Sequence, residues 1–149
     1  MPTLFRGYKR NTTRKGTQPM IMTTSTYAAM LGIIYVLLSL NVVRCRFKYK
    51  VSLGDGGDNN MERAMRTHGN FIEYTPIFLI LLSMAEINGA GAFYIHAIGS
   101  TFLAGRIAHI YGLAFHPKGE VNLYRKGGMI LTLLSILTAS AILMLQYIT

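Results

Sequence analysis

Apolar and polar positions fall in long blocks along this chain, not at the period of an amphipathic helix. Residues 16–43 carry no charged side chain, and their apolar part runs from about Met20 to Val43. Residues 74–85, 87–105 and 127–149 are likewise uncharged, following Glu73, Glu86 and Lys126. A helix needs about 20 mostly apolar residues to cross a bilayer. Three of these blocks reach that length unaided, and the second does so if Glu73 lies within it. The pattern predicts four transmembrane helices, near residues 24–46, 60–86, 91–115 and 122–147. A soluble four-helix bundle would carry a polar stripe on each helix, and "YAAMLGIIYVLLSL" and "GGMILTLLSILTASAILMLQYI" have none. The expected fold class is all-α, an integral membrane four-helix bundle.

Composition agrees. The 149 residues are 51% hydrophobic and only 14% charged, against about 25% charged in soluble domains. Charge then adds a direction. The net charge of +9 raises nucleic acid as a partner, but its placement argues against one. Arg44, Arg46, Lys48 and Lys50 follow the first helix, Arg63 and Arg66 open the second, and Lys118, Arg125 and Lys126 lie between the third and fourth. "EINGAGA", between helices 2 and 3, has no Lys or Arg. The positive-inside rule places the first and third loops in the cytoplasm and both termini on the other side. Basic groups so placed fit phospholipid headgroups or an anionic substrate.

The start of the chain conflicts with that topology. "MPTLFRGYKRNTTRKGTQPM" carries five more basic residues and no acidic one. Residues 1–22 are read as an extension outside the fold, either a targeting segment or a stretch upstream of a fold beginning at Met20 or Met22. The third alternative is that these charges invert the topology. Residues 23–149 form the expected membrane domain.

The first loop, "KYKVSLGDGGDNN", is rich in Gly, Asp and Asn and should be irregular. Its "GDGG" is no phosphate-binding loop, since no GK[ST] follows. Asp58, Asn59 or Asn60 suits the cap of helix 2, with Glu62 near its positive end. That helix is long, roughly 40 Å at 1.5 Å per residue, and Pro76 should bend it. The lone Cys45 excludes an intramolecular disulfide and any CxxC motif.

One constellation suits chemistry. Arg66, Asn70 and Glu73 stand at i, i+4 and i+7, on one helical face, with Arg63 one turn earlier. Arg106 and His109 are i, i+3 neighbours near the same end of helix 3, and Arg125 and Lys126 begin helix 4. Antiparallel packing brings these ends to one level. Guanidinium forks grip carboxylates, while Asn70 and Glu73 suit an ammonium or amide. A small acidic thiol peptide such as glutathione matches that inventory, and a cation beside its sulfur would raise the thiolate fraction. The same groups also suit an interhelical network that locks packing, or headgroup anchors. His96 is expected as a hydrogen-bonded core residue. His109 and His116 lack a third partner of metal-ligand type, so no metal is expected.

"ERAMRTHGNFIEYTPIFLILL", "FLAGRIAHIYG" and "NLYRKGG" resemble, in that order, the MAPEG family, the membrane-associated proteins of eicosanoid and glutathione metabolism. The likeness spans roughly residues 25–148 and is nearest to the small bacterial-type branch, where a "GDGG" loop precedes an "R-x-H-x-N-x-x-E" helix. It implies a homotrimer with glutathione as cosubstrate, bound between neighbouring subunits at the cytoplasmic side. It also implies transfer of glutathione to lipophilic electrophiles or reduction of lipid hydroperoxides. Arg66, Asn70 and Glu73 match the family's glutathione-binding positions on helix 2, and Arg106 and His109 its "GRxxH" positions. Arg125 matches the helix 4 arginine thought to stabilise the thiolate. Gly69 and Leu113 stand where some eicosanoid-processing members have arginine and tyrosine, which argues against eicosanoid chemistry. The rival reading is a non-catalytic membrane module on the same fold that binds lipid or a partner protein.

Overall fold

The computed structural model describes residues 22–115 and 122–148. Four helices follow one another: α1 (Met22–Tyr49), α2 (Asn59–Ile87), α3 (Ala92–Ala114) and α4 (Leu123–Ile148). Among the described residues there is no strand. The proposed N-terminal extension and the "HPKGEV" stretch between helices 3 and 4, with His116 and Lys118, lie outside the described residues.

Local chemistry sets the helix ends. Asp58 is the cap of α2, its carboxylate accepting from Asn60 N and Met61 N at 2.8 and 2.9 Å, so two of the orphan amides of the first turn are satisfied. Glu62 lies in that turn. The far end of α2 closes through Gly89 at φ +93, with Ala90 N donating to Ala85 O at 2.9 Å. That left-handed residue is what a glycine provides at low cost. α1 closes in a similar way, with Val51 N on Arg46 O at 3.1 Å, but its positive-φ residue is Lys50. α2 runs through Pro76 without a break in helix.

The helices pack antiparallel around Tyr27, Leu31, Phe71, Phe78, Leu82, Ile95, Ile98, Phe102 and Ala139. Phe78 and Phe102 stack with centroids 3.7 Å apart. α3 and α4 approach most closely, because their facing positions are glycines. A Cβ at Gly128 would lie 2.6 Å from Gly105 O and from His109 N, so small residues set the helix separation here.

α1, α2 and α4 are each long and apolar enough to cross a membrane. α3 falls short of the apolarity expected of a fourth span, since it carries His96, Arg106 and His109. Its charge is turned inward: Arg106 and His109 are buried, while Phe93, Ile107 and Phe115 are exposed. Position supplies what composition does not. Gln146 Nε2 donates to Ala85 O at 3.2 Å, so the end of α4 lies with the end of α2. Asn122 Nδ2 donates to Gly112 O at 2.9 Å, and Arg63 Nη1 to Ala114 O at 3.3 Å, so the starts of α4 and α2 lie with the end of α3. α3 therefore traverses the same distance as its neighbours.

Candidate functional site

A guanidinium inside an apolar bundle needs partners, because neither lipid nor core supplies any. Arg106 is fully buried. Its Nη2 donates to Asn70 Oδ1 at 2.6 Å and its Nη1 to Thr132 Oγ1 at 3.3 Å. The Thr132 hydroxyl spends its own hydrogen on Gly128 O at 2.8 Å, which leaves its oxygen to accept. The Tyr74 ring lies 5.5 Å from the guanidinium carbon, within cation–π range. Three helices thus meet on one side chain. Arg106 Nε is buried with no hydrogen-bond partner among the described residues.

One turn further along α3, buried His109 fixes the start of α4. Its Nδ1–H donates to Arg125 O at 3.0 Å; a carbonyl only accepts, so Nδ1 carries the hydrogen and the neutral ring keeps Nε2 bare. Asn122 completes the junction, since its Oδ1 accepts from Arg125 N at 2.9 Å. A Cβ at Gly112 would lie 2.7 Å from Arg125 N, so the backbone of Arg125 is held from two sides. Its guanidinium is half-buried and has no hydrogen bond among the described residues.

The structure brings together Asn70, Arg106, His109 and the backbone of Arg125. Arg66 and Glu73 stay apart from that network. Both are exposed, on the outward edge of the α2 face whose inner edge carries Asn70. Glu73 is still near enough to Arg106 for Coulombic attraction. The expected single face is real but graded: Asn70 turns in, and Arg66 and Glu73 open outward. Arg63 turns toward α3 and caps its C-terminal carbonyls through Ala114 O.

Thr132, Asn122 and Tyr74 were not among the sequence candidates. The signal for Thr132 was its place as an isolated hydroxyl in "GGMILTLL", directly across from a buried cation. Two more pairs lie between helices. His68 Nε2 meets Ser39 Oγ at 3.1 Å, and because Ser39 donates to Tyr35 O at 2.9 Å, the imidazole is the donor. Tyr27 OH donates to His96 O and meets His96 Nδ1, both at 3.1 Å; His96 is hydrogen-bonded, as expected, but stands at the exposed edge of the core. Tyr111, the nearest tyrosine to Leu113, packs on Phe115 and Tyr124. Among the described residues no trio of His, Cys, Asp or Glu is gathered as for a metal.

The profile of the MAPEG family matches residues 24–145. Inner membrane protein YecN of Escherichia coli is 39% identical over 108 residues, covering 72% of this chain and 79% of that protein. Microsomal glutathione S-transferase 2 of Bos taurus is 32% identical over 106 residues, covering 70% of this chain and 72% of the relative. Its Homo sapiens counterpart is 32% identical over 105 residues, covering 70% and 71%. An all-α membrane bundle matched over that span by the family profile, with relatives so similar over most of their length, belongs to the MAPEG family.

Proposed function

We propose that this protein is a membrane-bound glutathione transferase, with peroxidase-type activity on lipid hydroperoxides as a variant of the same chemistry. The observation that carries the reading is the gathering of Arg106, Asn70, His109 and the backbone of Arg125 at the basic end, with Arg66 and Glu73 opening outward beside them. The similarity to microsomal glutathione S-transferase 2 supports glutathione as the cosubstrate. Arg66 takes a glutathione carboxylate, Glu73 its ammonium, and Asn70, Arg106 and His109 form the polar floor. Arg125 stabilises the thiolate. The sulfur attacks an electrophilic carbon, a C–S bond forms, and the leaving group departs with the bonding pair. The rate gain comes from thiolate stabilisation and from holding thiol and lipophilic substrate together. The outward-facing Arg66 and Glu73 fit a homotrimer in which a neighbouring copy closes the site, with the basic end in the cytoplasm.

The test is a glutathione titration of the purified protein in detergent, read by the ultraviolet absorbance of the thiolate. Saturable binding with a thiolate signal is expected, and Arg125→Ala should abolish the signal while leaving binding. Arg66→Ala should raise the dissociation constant about tenfold, since a charged hydrogen bond contributes about 1.5–3 kcal/mol. Absence of glutathione binding would remove the enzymatic reading. A non-catalytic module that binds lipid or a partner is the second reading, favoured by one observation: the Arg106 guanidinium already has Asn70 and Thr132 as partners within the chain.

A further inference from the structure

An asparagine at a helix start needs only its side-chain oxygen to act as a cap. Asn122, which directly precedes α4, uses both ends of its amide. Its Oδ1 accepts from Arg125 N at 2.9 Å, and its backbone carbonyl takes the bond from Lys126 N at 3.1 Å. Its Nδ2 then donates to Gly112 O at 2.9 Å, a carbonyl in the last turn of α3, where helix geometry leaves acceptors over. One half-buried side chain thus joins the end of α3 to the beginning of α4.

The joint falls on a single residue of α4. Asn122 holds Arg125 N, and His109 holds Arg125 O at 3.0 Å, so the backbone of Arg125 is tied to α3 at both its polar atoms. Gly112 lets the helices meet there. A Cβ on it would lie 2.7 Å from Arg125 N, 2.8 Å from Asn122 Oδ1 and 3.0 Å from Arg125 Cβ. Three residues therefore fix the point at which the Arg125 side chain leaves the helix. Lys126, the next cation, is exposed and lies about 100° further around the helix. Capping alone does not account for the arrangement, because the bond to Gly112 O adds nothing to the first turn of α4.

We propose that Asn122 is a positioning residue for the glutathione chemistry. By tying Gly112 O to Arg125 N, it holds the Arg125 guanidinium at the distance from the sulfur that keeps the thiol ionised, its proton released to water. This role rests on the reading of Arg125 as the thiolate-stabilising group and adds the residue that sets its place. Asn122 acts only through Arg125. The dependence on distance is steep. At an effective dielectric of about 20, moving a unit charge from about 4 to about 5 Å from a thiolate lowers the ionisation constant roughly fourfold.

The experiment follows the thiolate absorbance of bound glutathione against pH, in the full-length protein in detergent. Asn122→Ser keeps a cap for α4, since serine caps about as well as asparagine, but its hydroxyl is shorter than the amide that reaches Gly112. It should move the half-maximal thiolate signal upward by about 0.6 pH for a displacement of about 1 Å, at unchanged helix content. Gly112→Ala, which presses on Arg125 N from the α3 side, should move it the same way. Binding of S-methylglutathione, which has no thiol to ionise, should not change in either variant. A signal in Asn122→Ser that matches the native one across pH would overturn the inference and leave the glutathione chemistry standing. Loss of S-methylglutathione binding in Asn122→Ser would overturn it too, making Asn122 a support of the whole site. Absence of any thiolate signal in the native protein would overturn this role together with the reading of Arg125 on which it rests.

Discussion

Asn70 and Arg106 depend on one another because each is the other's shortest polar contact, at 2.6 Å. Asn70→Ala removes the acceptor and leaves a buried guanidinium with Thr132 alone. It should destabilise the protein by about 1.5–3 kcal/mol, the range for hydrogen bonds to charged groups, read as a lower thermal midpoint in detergent. An unchanged midpoint would mean that water takes the vacated place. Arg106 itself was legible in the sequence, as a cation in an otherwise apolar helix. Its partner Thr132 was not, because the pair is 26 positions apart and only the α3–α4 register joins them. Glu86 was hidden for a different reason. It reads as the acidic residue ending an apolar block, yet its carboxylate accepts from Thr23 N and Thr24 N at 2.9 and 2.8 Å. It thus caps α1 from another helix. Glu86→Ala should cost about 0.5–2 kcal/mol, as for other lost N-caps, and Glu86→Gln less, since the amide oxygen still accepts. Equal losses for the two variants would assign the effect to charge alone.

Elements set where those residues can meet. The α3–α4 contact is built from Gly105, Gly112 and Gly128, and its closeness carries His109 to Arg125 O. Gly128→Ala would place a methyl group 2.6 Å from Gly105 O and His109 N, both backbone atoms that move only with their helix. The helices must part. The expected loss is about 1–3 kcal/mol of stability, as for other overpacked sites, together with weaker glutathione binding, because the His109–Arg125 bond lengthens. Gly69→Ala is the control on α2, where no atom of the described residues lies within 4 Å of the added carbon; it should be neutral or stabilise by up to about 1 kcal/mol. Thermal scans of both variants decide the matter, and a destabilised Gly69→Ala would reveal an unseen neighbour at that face. On α3 the seven-residue spacing of Gly105 and Gly112 marks one face in the sequence itself, whereas Gly99 meets Tyr27 of α1 instead. Their counterpart on α4 was not legible, since "RKGGMILTLL" offers Gly127 and Gly128 equally, and only the three-dimensional register gives Gly128 the contact. Helix extents were legible where charge or a cap marks them, as at Asp58. α1 runs on to Tyr49 because Lys50 accepts a left-handed backbone, which no glycine announced.

For the whole molecule, the blocks of uncharged sequence made the membrane bundle legible, whereas the crossing of α3 rests on contacts. Its polar content, His96, Arg106 and His109, breaks up its apolar run, and the same residues bond to neighbouring helices. An inward-facing cation is tolerated in a span when neighbouring helices supply its hydrogen bonds, which is what Asn70 and Thr132 do. If α3 crosses, Ser52 and Leu123 lie at one surface of the membrane and Asn88 at the other. Single substitutions Ser52→Cys, Asn88→Cys and Leu123→Cys, each in a Cys45→Ser background, place one thiol at an exposed position at each level. An impermeant maleimide applied to intact cells should modify Asn88→Cys alone, since the loop it occupies has no basic residue while the opposite end gathers Arg44, Lys48, Lys50 and Lys126. Labelling of Ser52→Cys and Leu123→Cys instead would keep the four-span bundle and reverse its orientation, giving the N-terminal charges the decisive share. Labelling of Asn88→Cys together with Leu123→Cys would mean that α3 does not cross. That result would separate Arg106 from Asn70 and leave a buried guanidinium without its nearest partner.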